Sequence, residues 1–183
     1  LLNLDSETEG ELYVGCAGGI DATIRFDFKK EAMPSSYSAF ELTVKGMKGG
    51  HSGMDIILGR GNANKTLFRI LKALEAVDVR LGNINGGSLR NAIPREAFCT
   101  IAVPTDKAQE AMNIVKELEA VVKSELSAVE PDLIITMTEA SSCEFVMDTD
   151  AAKRVVRAIY ACPNGVYRMS DSMENLVETS SNL

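Results

Sequence analysis

The sequence holds one histidine, His51, within the glycine-rich stretch Gly46-Met47-Lys48-Gly49-Gly50-His51-Ser52-Gly53. Glycines let a backbone come close to a ligand, and a loop imidazole can offer an N–H to developing negative charge. The plainer reading is a surface histidine in a solvated turn, and the residues alone leave both open. The stretch does not read as a phosphate cradle, because no Gly-Lys-Ser/Thr occurs. Nor does Gly50-His51-Ser52-Gly53 have the G-x-S-x-G spacing that exposes a nucleophilic serine. A second group, Gly86 to Arg95, sets the Arg90 guanidinium and the Asn91 amide beside a tight turn. Such groups suit recognition of a carboxylate or a peptide carbonyl. Asn91 can equally be a residue that caps the turn through its own backbone. The alternating acids Asp5, Glu7, Glu9 and Glu11 read by themselves as a solvated edge or turn. One histidine and no paired-ligand motif argue against a self-sufficient metal centre, which needs three or four ligands.

These groups need elements to position them. Leu1 to Gly19 reads as a short strand, an acidic turn and a second strand ending in Gly15-Cys16-Ala17-Gly18-Gly19. Ile24, Phe26 and Phe28 alternate with Arg25 and Asp27, which predicts a half-buried strand; Glu31 to Ser38, with Pro34, predicts a loop. Phe40, Leu42 and Val44 alternate in the same way. The glycine-rich loop then runs from Gly46 to Gly61. Ala63, Leu67, Ile70, Leu71 and Leu74 fall at helical spacing, with Asn62 as the N-cap. Strands are expected over Val79 to Asn85 and Ala97 to Val103. Asp106 and Gln109 form a capping box for a helix buried through Ala108, Ala111, Met112, Val115, Leu118, Val122 and Leu126. Pro131 ends it, and Leu133 to Thr138 is a strand. The order β-α-β-β-α-β predicts an α+β two-layer sandwich of ferredoxin-like topology, an antiparallel sheet with both helices on one face. A third helix, capped by Asp148 or Thr149, and strands near Val166 to Met169 and Leu176 to Leu183 form part of a second unit.

Bulk properties narrow the partners. At 183 residues the chain suits one domain, or one domain with a fragment of another. With no Trp and 5% aromatic residues, the core must rest on Leu, Ile, Val, Met and Ala. A net charge of -7 argues against nucleic acid, whose phosphates require a basic face. No apolar run approaches the ~20 residues of a membrane span, so no membrane partner is expected. Cys16, Cys99, Cys143 and Cys162 are scattered, which predicts reduced thiols in a cytoplasmic protein. The start at Leu1 and the finish at Leu183 read as those of a piece cut from a longer chain.

Five segments, taken in order, resemble the aminoacyl-histidine dipeptidase (peptidase D) family of co-catalytic zinc peptidases, which includes aminoacylases and carboxypeptidase G. They are Leu2-Asn3-Leu4-Asp5-Ser6-Glu7, Gly15-Cys16-Ala17-Gly18-Gly19, Lys48-Gly49-Gly50-His51-Ser52-Gly53, Arg90-Asn91-Ala92-Ile93-Pro94-Arg95 and Pro163-Asn164-Gly165-Val166. The resemblance implies a two-domain parent with two zinc ions in its catalytic domain and a lid that carries the dimer contacts and closes over a dipeptide. Residues 1–19 would be a remnant of the catalytic domain and residues 20–183 the lid and dimerisation domain. Asp5 would ligate one zinc. His51 would reach an active site, usually the partner subunit's, and stabilise the tetrahedral oxyanion. Asn91 and Arg90 would contact substrate. The family's H-x-D motif, bridging aspartate, Glu-Glu pair and final histidine ligand have no counterpart here. The resemblance therefore implies a lid fragment of an Xaa-His dipeptidase that holds no zinc stably and is inactive alone. The competing expectations are an amino-acid-binding regulatory domain of ferredoxin-like fold and a bare dimerisation module, because a fold does not fix a function.

Overall fold

Alternation of apolar and polar residues sets the centre of the molecule. In the computed structural model, which describes residues 9–183 apart from 14 and 16, the short β1 (Lys30–Glu31) precedes β2 (Tyr37–Lys45), whose Phe40, Leu42 and Val44 are buried. Then follow β3 (Gly50–His51), α1 (Ala63–Leu74), β4 (Arg80–Gly86), β5 (Ala92–Ile93), β6 (Ala97–Pro104), α2 (Ala108–Glu125) and β7 (Ile134–Glu139). The order in the main sheet is β4-β6-β2-β7, and every pairing is antiparallel. This is the expected ferredoxin-like βαββαβ unit.

Helix α1 begins where Asn62 leaves the helical conformation and its side chain accepts a hydrogen bond from Lys65 N at 3.1 Å. Its apolar stripe, Leu67, Ile70, Leu71 and Leu74, is fully buried against the sheet. Burying each of these side chains contributes about 1.5–3 kcal/mol. Helix α2 adds Ala111, Val115 and Val122 to the same core, with Leu118 and Leu126 packed at its margin. Helix α3 (Thr149–Ala161) packs on α1 through Ala152, Val155 and Val156. Asp148 caps it, accepting from Ala151 N at 3.0 Å, and reaches back to Lys29 N at 2.7 Å. The chain ends in a hairpin, β9 (Gly165–Met169) with β10 (Val177–Ser181).

Four expectations need correction. Ile24 to Phe28 is not a strand: among the described residues nothing pairs with it, and the ladder starts only at Lys30, opposite Met147 on β8 (Val146–Met147). Phe28 instead stacks on Phe145, ring centroids 6.1 Å apart. Asp106 does not cap α2. The chain after Pro104 makes a 3-10 turn, Thr105–Lys107, so the N-cap falls on Lys107, which forms no side-chain cap, and Gln109 bonds Asn113 instead. The stretch Gly46 to Gly61 is more ordered than a loop, since it holds β3 and a 3-10 turn, Ile56–Leu58. Of the elements expected before Ile20, the acidic turn is present at Glu9-Gly10, and Glu11 to Tyr13 carry no strand. The first strand, Asp5 and Cys16 lie outside the described residues.

Candidate functional site: the His51 ribbon

A two-stranded ribbon stands beside the main sheet. Gly50 of β3 pairs with Ile93 of β5, and His51 pairs with Ala92. Ser52 N then donates to Asn91 O at 2.9 Å. Two segments forty residues apart thus meet, and His51, Asn91 and Arg90 come to neighbouring positions at one end of the ribbon. Gly50 is required where it stands. Its φ of 143° lies outside the range of ordinary side chains, and a Cβ there would meet Arg60 Nη1 and the Asp55 carboxylate.

The His51 ring is exposed, yet one of its nitrogens is fully engaged. Nδ1 accepts hydrogen bonds from Gly53 N at 3.0 Å and Met54 N at 3.1 Å. An atom that accepts two N–H groups carries no proton of its own, so the neutral ring bears its proton on Nε2. The turn is locked from the backbone side as well: His51 N donates to Asp55 Oδ2 at 2.8 Å, and Asp55 N donates to His51 O at 2.9 Å. Arg60 holds the ribbon two residues before His51, donating to Gly49 O at 2.6 Å, with Asp55 3.6 Å from the same guanidinium nitrogen. The result is an exposed N–H donor on a ring whose tautomer is set by the backbone, which is chemically suited to an anionic oxygen.

The other sequence-derived residues fare differently. Asn91 is exposed, with its backbone oxygen committed to Ser52 N. Arg90 is also exposed, and its guanidinium lies 2.6 Å from Asp21 Oδ2. A groove of about 490 Å³ follows the ribbon, lined by Gly49, Gly50, Gly87, Ser88, Pro94 and Arg95 among others; His51 and Asn91 are not part of its lining. Among the described residues there is no group of three or more His, Cys, Asp or Glu able to hold a metal ion. Cys99, Cys143 and Cys162 are free thiols, and burial pushes Cys99 far above the usual thiol range.

Three supporting residues escaped the sequence reading. Asp55 lies four residues after His51, a spacing that carries no signal inside a glycine-rich stretch. Asn182 Nδ2 donates to Ala92 O at 2.8 Å and so ties the ribbon to the C-terminal segment. Glu130, directly before Pro131, resembles any solvated acid at a helix end, yet it is 2% exposed.

Residues 42–130, the span from β2 through Glu130 that contains the ribbon, match the family described as the peptidase dimerisation domain. The particular likeness is closer. The chain is 46% identical over its full length to the cytosol non-specific dipeptidase of Escherichia coli (strain K12). It superposes on the crystal structure of the aminoacylhistidine dipeptidase from Vibrio alginolyticus with a TM-score of 0.83 and 44% identity over 86% of this chain. The resemblance to the aminoacyl-histidine dipeptidases therefore holds along the chain. The chain spans 38% of the length of the Escherichia coli relative and 32% of the Vibrio structure.

Proposed function

We propose that this chain is the lid and dimerisation part of a dipeptidase that hydrolyses Xaa-His dipeptides, and that His51 donates Nε2–H to the tetrahedral oxyanion. The observation that carries this reading is the double engagement of Nδ1 by Gly53 and Met54, which leaves Nε2–H as the exposed face of the ring. A donor whose tautomer is fixed before substrate arrives needs no reorganisation at the moment charge develops. In this proposal residues 1–19 belong to the catalytic domain, residues 20–183 form the lid, and the protein works in the cytoplasm as a homodimer. Asn91, at the end of the same ribbon, contacts the dipeptide. Arg90 joins it by exchanging Asp21 for the substrate carboxylate.

Zinc is the metal the resemblance implies, with Asp5 as its one ligand in this chain. The described residues do not fit a metal centre. The steps assigned here therefore belong to the ribbon alone: orienting the dipeptide and stabilising the oxyanion. The isolated chain is expected to be inactive.

The test restores the flanking sequence and compares wild type with His51→Ala in Xaa-His dipeptide turnover at matched metal content. We expect kcat to fall by about 100- to 1000-fold, the usual cost of losing one oxyanion donor. Unchanged kcat would return the ribbon to a regulatory or purely structural role. A panel of dipeptides without histidine measures breadth, since one relative carries the name non-specific dipeptidase.

A further inference from the structure

Lys48 and Gly61 are the two stems of the segment that carries His51, and both bond the same buried carboxylate. Lys48 N donates to Glu130 Oε2 at 2.7 Å, and Gly61 N donates to Glu130 Oε1 at 2.9 Å. Glu130 comes from the turn after α2, where its own N–H donates to Leu126 O at 2.7 Å. It is remote in sequence, 82 residues from Lys48 and 69 from Gly61. Packing closes around the carboxylate. A Cβ on Gly61 would lie 3.0 Å from Leu126 Cδ1, 3.1 Å from Met47 Sδ and 3.2 Å from Glu130 Cγ.

A carboxylate buried to this degree is costly to keep unless both oxygens find partners. Here the partners are two backbone amides, one from each stem. A carboxylate suits that task because both of its oxygens accept. A glutamine of the same size presents one accepting oxygen and one NH2, and the NH2 would face a backbone donor. The acid therefore serves a demand of the two stems that a neutral isostere cannot meet.

We propose that Glu130 is a positioning residue that fixes where His51 stands, by holding both ends of its segment against the end of α2. The consequence for catalysis rests on the role proposed above for His51. From Gly61 the chain passes directly into Asn62 and α1, and from Lys48 it passes through Gly49 into the ribbon. One carboxylate thus sets the distance between the helix and the ribbon, and with it the reach of the imidazole.

The experiment uses the full-length protein and the conservative variant Glu130→Gln, alone and combined with His51→Ala. Expected for Glu130→Gln are a fall in kcat of about tenfold or more with little change in KM, and altered ¹⁵N resonances of the His51 ring. In the His51→Ala background the same substitution should cause no further loss, because the residue acts through the ring. An equal loss in both backgrounds would make Glu130 a general fold residue and overturn the proposal. So would unaltered His51 ring resonances in Glu130→Gln. If His51→Ala itself leaves turnover unchanged, the catalytic reading falls, and positioning is judged by the ring resonances alone: altered signals sustain it, unaltered ones end it.

Discussion

Single residues hold the His51 segment through backbone geometry more than through side-chain bulk. Gly46, where the chain leaves β2, has a φ of 81°, and a Cβ there would overlap the backbone oxygen of Asp132. Gly59 has a φ of 64° with nothing within 4 Å of the place a Cβ would take. The two positions share a conformation and differ in surroundings. Gly59→Ala should cost about 1 kcal/mol, the left-handed strain alone. Gly46→Ala should cost more than about 2 kcal/mol, since backbone must move as well. Denaturant unfolding of both variants in the intact protein checks the order. Equal losses would mean that the Asp132 contact is relieved without strain.

Among the elements, α3 shows how a half-buried charge at a helix N-cap ties two parts of the chain. Asp148 accepts from Lys29 N and Ala151 N, and those bonds hold its carboxyl below the usual aspartate range. A carboxylate whose folded pKa is depressed adds stability above its unfolded pKa and loses it as pH falls through the folded value. The Asp148 contribution should therefore be intact near neutrality and fade below about pH 4. Glu75 and Glu125 are also held low: burial pushes Glu75 up, but the hydrogen bonds and charges of Lys72 and Arg157 together outweigh it, and the Arg69 hydrogen bond acts on Glu125. Acid destabilisation of wild type is thus shared among them. Thermal melts across pH 2 to 7 should show a shallower acid decline for Asp148→Asn than for wild type, and identical slopes would remove Asp148 from the account. Asparagine suits this comparison because it can still accept from Ala151 N without titrating.

At the scale of the whole molecule, the reach of His51 into the partner subunit's active site, which the resemblance implies, makes a prediction about mixtures. One protomer carries His51→Ala with its catalytic domain intact; the other keeps His51 and is inactivated in its catalytic domain. Each homodimer lacks one half of a working site. A mixed dimer restores one site of two, and random mixing makes half of the dimers mixed. Turnover should then recover to roughly a quarter of wild type in a two-fold symmetric dimer. Activity that stays at the sum of the two separate variants would mean that His51 acts within its own subunit.

Much of the fold was legible because its signals are local. Leu67, Ile70, Leu71 and Leu74 repeat at the helical period, Asn62 is a side chain that caps, and Phe40, Leu42 and Val44 alternate; each of these acts over a few residues and needs no distant partner. The sequence by itself therefore determined the α+β class and the βαββαβ order. Local signals failed where a partner was required. Ile24 to Phe28 alternates correctly and makes no strand, because a strand is completed by hydrogen bonds to another. Only the tertiary structure decided that Asn91 stands beside His51, that Nδ1 is closed and Nε2 open, and that Glu130 is a buried clamp. The physical reason is the same in each case. Hydrogen bonds between residues far apart in sequence are set by how the sheet and helices bring their ends together, and no spacing along the chain encodes that distance.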